Sequence, residues 1–147
     1  VDTYETLNIA LVKLFRDVMD IEQKSITTQE YKDITNNDMH VMQAIGVGEP
    51  KNMSTIAKTL SVTVGTLTIA MNSLVKKGYV IRERGERDRR VVYISLSEKG
   101  RSAYSQYEDF HRRMIADVLE ELDPEETKAL VKALVKLEQW FQKIQQT

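Results

Sequence analysis

Cysteine is absent from the 147 residues. That excludes disulfides, thiolate-ligated zinc and thiol-based oxidant sensing. No apolar run approaches the roughly 20 residues needed to span a bilayer, and no signal-peptide pattern opens the sequence, so the expectation is a cytoplasmic protein without a membrane partner. Histidine is scarce. His40 and His111 lie far apart, with no His-x-Glu or Glu-x-x-His spacing around them, and read as pocket or interface side chains rather than metal ligands. The acids between Asp117 and Glu126 fall at a helix break, where solvated carboxylates are expected. No nucleophile-base set and no glycine-rich phosphate loop is present, which disfavours an enzyme and implies no cofactor. Repeats and low-complexity segments are also missing.

What is present is unevenly placed. The net charge is only −1, yet residues 76–90 hold seven Lys or Arg against three acids, a local +4 that leaves −5 for the rest. A near-neutral total therefore does not argue against nucleic acid, because the electrostatic footprint needs only a local basic patch.

The stretch from Asn52 to Gly100 organises the chain. Ile56, Ala57 and Leu60 share one helical face, Ser61-Val62 interrupts it, and Thr63 caps a second helix with an apolar stripe of Leu67, Ala70, Met71 and Leu74. Lys77-Gly78 ends that helix. The stripe leaves Gly65, Thr66, Thr68, Ile69 and Asn72 facing outward. A solvated face is usually rich in Lys and Glu, whereas this one is small and uncharged, as for a contact surface. The period then changes to 2, with Val80, Arg82 and Arg84 before the tip Gly85-Glu86-Arg87-Asp88-Arg89-Arg90, and Val92, Ile94 and Leu96 after it. This predicts a β-hairpin with a charged tip. A helix-turn-helix followed by such a hairpin is a winged helix, whose second helix enters the major groove while the wing reaches flanking backbone or minor groove.

The run KKGYVIRERGERDRRVVYISLSEKG resembles the wing region of the MarR (multiple antibiotic resistance) regulators, with a Gly ending the recognition helix, Asp-Arg-Arg at the wing tip and Ser-Glu-Lys-Gly opening the next helix. The resemblance implies a mainly α fold with a small β-wing in a single MarR-type domain. Residues 35–100 would form the winged-helix DNA-binding lobe, and residues 1–34 and 101–147 the dimerisation helices. It also implies that Arg90 enters the minor groove while Asp88 positions a neighbouring arginine, for which Arg82 is the candidate. Thr63, Thr66 and Thr68 can bond base edges or phosphates, their methyls and Ile69 can meet thymine methyls, and Asn72 can pair with adenine. Ser54 and Lys58 read as phosphate contacts, and Arg87 and Arg89 complete the basic tip. MarR relatives often carry Arg where Ile69 and Ser73 stand, so base preference tilts towards A·T-rich, pseudo-palindromic double-stranded operators.

Outside the lobe, residues 3–25 carry Leu7, Leu11, Leu14, Phe15, Val18 and Met19 at helical spacing. Residues 26–35 read as a loop, and Thr35 with Asp38 as a capping box for a helix ending near Gly46 or Gly48. Ser97 caps a helix containing Tyr104, Tyr107, Phe110 and Met114. After Asp123-Pro124, a last helix bears Leu130, Leu134, Leu137, Phe141 and Ile144, a seam that needs a partner helix. The partner is either the first helix of the same chain or a second protomer, and the family resemblance implies a homodimer.

A narrower resemblance is to the FabT-like branch, repressors of bacterial fatty-acid synthesis genes, carried by VTVGTLTIAMNSLVKKGYV, Asp38-Met39-His40, Phe110-His111 and DRRVVYISLSEKGR. The effector it implies is a long-chain acyl-acyl carrier protein that strengthens operator binding. Val18, Met19, Met39, His40, Met42, Tyr107, Phe110, His111 and Met114 are the candidate effector residues, with Arg112 and Arg113 facing the acidic carrier. Methionines suit a flexible apolar ligand, and equally suit an ordinary core. Two alternatives stay open: a generic MarR-type repressor released from DNA by a small phenolic or other apolar ligand, and a winged helix used only for protein contacts.

Overall fold

A short polar segment sets each boundary along the chain. The computed structural model describes residues 2–26 and 30–145. Helix α1 spans Thr3–Ile26 and α2 spans Asn36–Ile45. The expected capping box is formed. Thr35 Oγ1 accepts from the Asp38 amide at 3.0 Å, and the Asp38 carboxylate accepts from the Thr35 amide at 3.1 Å. A two-residue strand, β1 (Lys51–Asn52), leads into α3 (Met53–Leu60), α4 (Val64–Lys77), β2 (Val80–Arg84), β3 (Val92–Leu96), α5 (Glu98–Glu121) and α6 (Pro124–Gln145).

The chain divides into two compact units, residues 1–108 and 109–147. In the first, the antiparallel hairpin pairs Val80 with Leu96 and Arg84 with Val92, and β1 adds to the free edge of β3 by pairing Lys51 with Ile94. Period-2 alternation cannot reveal a strand two residues long, so β1 has no sequence signature. The core gathers Ile56 of α3, Leu67, Met71 and Leu74 of α4, Tyr79, and Ile94 of β3, all essentially without solvent exposure. Burying each such side chain contributes roughly 1.5–3 kcal/mol. Residues 27–29 of the expected loop lie outside the described residues. The remainder, residues 30–35, is irregular but anchored, because Tyr31 and Ile34 are buried in the same core.

Two glycines are fixed by geometry. Gly78 ends α4 in the left-handed region at φ 88°, which lets its amide and that of Tyr79 close the helix end onto Val75 and Leu74. At Gly100, in the first turn of α5, any Cβ would collide with the Tyr79 carbonyl oxygen.

The second unit holds the end of α5 and all of α6. Asp123 and Glu126 form a reciprocal cap, with the Glu126 amide 2.8 Å from Asp123 Oδ1 and the Asp123 amide 3.0 Å from Glu126 Oε1. No residue of α6 is buried. The expected seam is there, with Leu130, Leu134, Leu137, Phe141 and Ile144 all substantially exposed, as are Leu7, Leu11, Leu14 and Phe15 of α1.

Candidate nucleic-acid interface

The turn between α3 and α4 is built from local hydrogen bonds. Asn52 caps α3 by accepting from the Thr55 amide at 2.8 Å. Ser61, in the left-handed conformation at φ 56°, then turns the chain after Leu60. That conformation costs an L-residue roughly 1–2 kcal/mol. The cost is offset by the Ser61 and Val62 amides, which return to Lys58 and Ala57. Thr63 restarts the helix, its Oγ1 accepting from the Thr66 amide at 3.1 Å and donating to Thr66 Oγ1 at 3.0 Å.

Helix α4 therefore presents its outer face in a fixed rotation. Gly65, Thr66, Ile69 and Asn72 are exposed and Thr68 is half-buried. Ile69 is 75% exposed, an apolar side chain in the middle of a polar face. Thr68 donates its hydroxyl to the Val64 carbonyl at 2.8 Å, which leaves its oxygen able to accept and its methyl free for contact. Ser54 and Lys58, one helical turn apart on α3, are exposed beside the turn.

At the wing tip Asp88 organises the loop. Its carboxylate takes the Arg90 amide at 3.0 Å and the Arg90 guanidinium through Nε at 3.1 Å and Nη2 at 3.0 Å. The guanidinium beside it holds the Asp88 carboxyl below the usual carboxylate range and pushes the Arg90 guanidinium up in turn. Both groups face solvent, so the pair orients Arg90 rather than stabilising the fold. The Arg90 side chain is 92% exposed. Arg84 Nη1 donates to the Arg89 carbonyl at 2.9 Å and closes the loop from the strand side. Sequence reasoning missed that role for Arg84.

This geometry corrects one expectation. The arginine that Asp88 positions is Arg90, two residues away, and not Arg82. Arg82 instead crosses from β2 to α4, where its Nη1 donates to Asn72 Oδ1 at 2.6 Å. Arg87 and Arg89 are exposed at the tip.

A second cluster fixes the base of this surface. Lys77, the last residue of α4, donates to Asp38 Oδ2 at 2.8 Å and to the Asp33 carbonyl at 2.7 Å. Tyr79 donates its phenol to Asp33 Oδ1 at 2.5 Å, Lys99 Nζ sits 4.5 Å from the Tyr79 ring centre, and Ser97 donates to the Gly78 carbonyl at 2.6 Å. The phenol hydrogen bond lowers the Asp33 carboxyl, while burial and then that same bond push Tyr79 up. The end of the candidate recognition helix is thus tied to α2, to the segment before it and to α5. In this cluster Asp38, Ser97 and Lys77-Gly78 have sequence signatures as helix ends, whereas the contacts of Asp33, Tyr79 and Lys99 have none.

Within the first unit the candidate effector residues do not gather on one face. Met39 and Met42 are 1% and 0% exposed in the core of the first unit, whereas His40, between them in sequence, points to solvent. Sealed core methionines cannot line a ligand surface in this conformation. That removes Met39 and Met42 from the expected set, because the 3.6 period gives core and ligand-facing apolar residues the same pattern. Val18 is exposed on α1 and Met19 half-buried, and Tyr107 is half-buried with its ring stacked on Tyr104 at 6.3 Å. Burial raises the Tyr107 phenol. In the second unit Phe110 meets His111 edge-on at 5.5 Å, and Met114 is half-buried. Among the described residues, no group of three His, Asp or Glu is placed to hold a metal ion, and no helix is long and apolar enough to cross a membrane.

The family description "transcriptional regulator SarA/Rot" matches residues 23–107. The crystal structure of Streptococcus pneumoniae FabT in complex with DNA is 34% identical in sequence, with 96% of this chain and 99% of that one covered and a TM-score of 0.89. The HTH-type transcriptional regulator YwhA of Bacillus subtilis is 28% identical over 90% of this chain and 93% of its own. A mutant MarR from Escherichia coli complexed with operator DNA shares the fold, at 24% identity, 93% and 99% coverage and a TM-score of 0.62.

Proposed function

Because the chain belongs to the SarA/Rot family of transcriptional regulators and has the MarR winged helix-turn-helix, we propose that it is a homodimeric repressor of fatty-acid synthesis genes with a long-chain acyl-acyl carrier protein as corepressor. DNA binding itself follows from the family. Its assignment to α4 and the wing rests on one observation above the rest: the uncharged outer face of α4 and the Asp88-oriented Arg90 stand in the same compact unit, one suited to base edges and the other to an anionic groove.

In this reading residues 35–100 form the DNA-binding lobe, and residues 1–34 and 101–147 join two protomers. Thr63, Gly65, Thr66, Thr68, Ile69 and Asn72 meet the major groove. Ser54 and Lys58 hold phosphates, and Arg87, Arg89 and Arg90 with Arg82 serve the wing side. The exposed apolar faces of α1 and α6 support the dimer, since a single soluble chain rarely leaves such extended apolar surface in water. A two-fold protein reads half-sites about one helical turn apart, so the operator is pseudo-palindromic.

The fatty-acid role is supported by the 34% identity to FabT over nearly the whole of both chains. The effector candidates that stay accessible are Val18, Met19, His40 and Tyr107 in the first unit and Phe110, His111 and Met114 in the second. An acyl chain of about 16 carbons would bury methylenes at about 0.8 kcal/mol each before ordering costs. It raises operator affinity only if it binds the DNA-competent conformation more tightly than the other, because equal affinity shifts nothing.

The test is operator affinity against acyl length at fixed carrier concentration. Affinity that rises with chain length, and loses that rise in Met114→Asp with basal binding intact, fits the proposal. Equal affinity with acylated and unacylated carrier, together with release by a small phenolic compound, would make the chain a MarR-type repressor of the ligand-released kind.

A further inference from the structure

Arg82 and Asn72 come from different elements and meet on the candidate DNA surface. The strand register pairs Arg82 with Ile94, a core residue, so the two side chains leave the sheet on the same face. From there Arg82 reaches α4 and donates to Asn72 Oδ1 at 2.6 Å. Beside this contact an open groove of about 430 Å³ is bounded by Thr68 of α4 and by Arg82, Glu83 and Arg84 of β2. Asn72 thus stands where the recognition helix and the base of the wing converge.

A guanidinium carries donors and no acceptor, so the Asn72 group that faces it must be the carbonyl oxygen. The amino group, on the other arm of the amide, then keeps both of its donors for a partner. An unconstrained asparagine reads adenine with both atoms at once, its amino group donating to N7 and its oxygen accepting from N6. The oxygen keeps a second lone pair, but with one already given to a charged donor it is the weaker half of that reading and the uncommitted amino group the stronger. Adenine N7, guanine N7 or O6 and thymine O4 all accept such a bond, and every base pair shows at least one of them in the major groove.

We infer that Arg82 sets the reading of Asn72, orienting its amide and weighting it towards donation so that the base pair it faces is read degenerately instead of as adenine. This rests on α4 being the recognition helix, as proposed above. Arg82 is here a positioning residue and touches the base only through Asn72.

The experiment is selection of DNA from random sequences by the full-length wild-type protein, Arg82→Met, Arg82→Lys, Asn72→Ala and Arg82→Met/Asn72→Ala. Methionine keeps the length and the methylenes of arginine but cannot donate. The expected result is a degenerate position in the wild-type site that sharpens in Arg82→Met to favour adenine over guanine about tenfold. Lysine, which still donates, should restore the degenerate pattern, and the double variant should lose the adenine preference. The inference is overturned if the wild type already selects adenine there, if wild type and Arg82→Met select the same sequences, or if the shift survives in the Asn72→Ala background. It is equally overturned if Arg82→Met weakens all sequences alike and lowers the salt slope by about one, because Arg82 would then be a phosphate contact. A wild-type protein that selects no sequence at all overturns this inference and the proposed function together, whereas the other outcomes leave the proposed function standing.

Discussion

Lys77 Nζ lies 2.8 Å from Asp38 Oδ2, and this ion pair joins the last turn of α4 to the first turn of α2. The Asp38 side chain is almost fully enclosed and that of Lys77 about a quarter exposed. Removing one partner of a buried pair costs 3–5 kcal/mol when the other is left uncompensated. Here Asp38 keeps the Thr35 amide, so the cost is smaller. Lys77→Met should lower unfolding free energy by about 2 kcal/mol in urea titrations. A change below about 0.5 kcal/mol would mean that the pair does not fasten the recognition helix.

The hydrogen bond from Tyr79 to Asp33 sets a pH window. Asp33 is depressed in the folded protein, so its contribution is present above the ordinary carboxylate pKa of about 4 and is lost as pH falls through the lower folded value. Tyr79 is raised, so its contribution is complete below about pH 10 and is lost as pH climbs towards the folded value. The stability difference between wild type and Tyr79→Phe should be flat from about pH 5 to 9 and shrink on both sides. Thermal unfolding across that range checks it, and a difference that grows below about pH 4 would contradict the assigned direction.

The turn chemistry was the most legible part of the sequence. Thr35 with Asp38, Thr63, Lys77-Gly78, Ser97 and Asp123 mark helix ends because each signal is local: a side-chain oxygen within three residues of the amide it satisfies, or a glycine that tolerates positive φ. Partner choice was not legible. Asp88 lies within reach of several arginines, and sequence spacing cannot show that a two-residue return to Arg90 is the one made. Likewise Lys77, Asp33 and Tyr79 are brought together only by the packing of α4 against α2, and Met39 and Met42 differ from surface methionines only in what the fold places over them.

The exposed seam of α6 makes dimerisation testable by a single charge. Leu137 is substantially exposed in one chain, so Leu137→Lys should leave an isolated protomer folded, while in a dimer it would bury an unpaired charge at a cost of several kcal/mol. Sedimentation should show monomers, and operator affinity should fall with them. Wild-type protein that sediments as a monomer yet binds a palindrome at full affinity would remove the dimer from the account.

Arg90→Ala should weaken operator binding by about 1–3 kcal/mol with the thermal midpoint unchanged, because among the described residues the hydrogen bonds of this 92% exposed side chain go to Asp88 alone. Asp88→Ala, which leaves the charge but removes its orientation, should lose less. Anisotropy titrations at moderate salt give both values, and an unaltered dissociation constant for Arg90→Ala would take the wing tip out of the interface.

The claim that α4 and the arginine wing form one DNA-binding surface is tested most directly by titrating wild type and Arg90→Ala against the selected operator over a range of salt concentrations. Counterion release predicts a steep negative slope of log affinity on log salt for the wild type, shallower by about one for the variant. A wild-type slope near zero, or identical slopes for the two proteins, would contradict it.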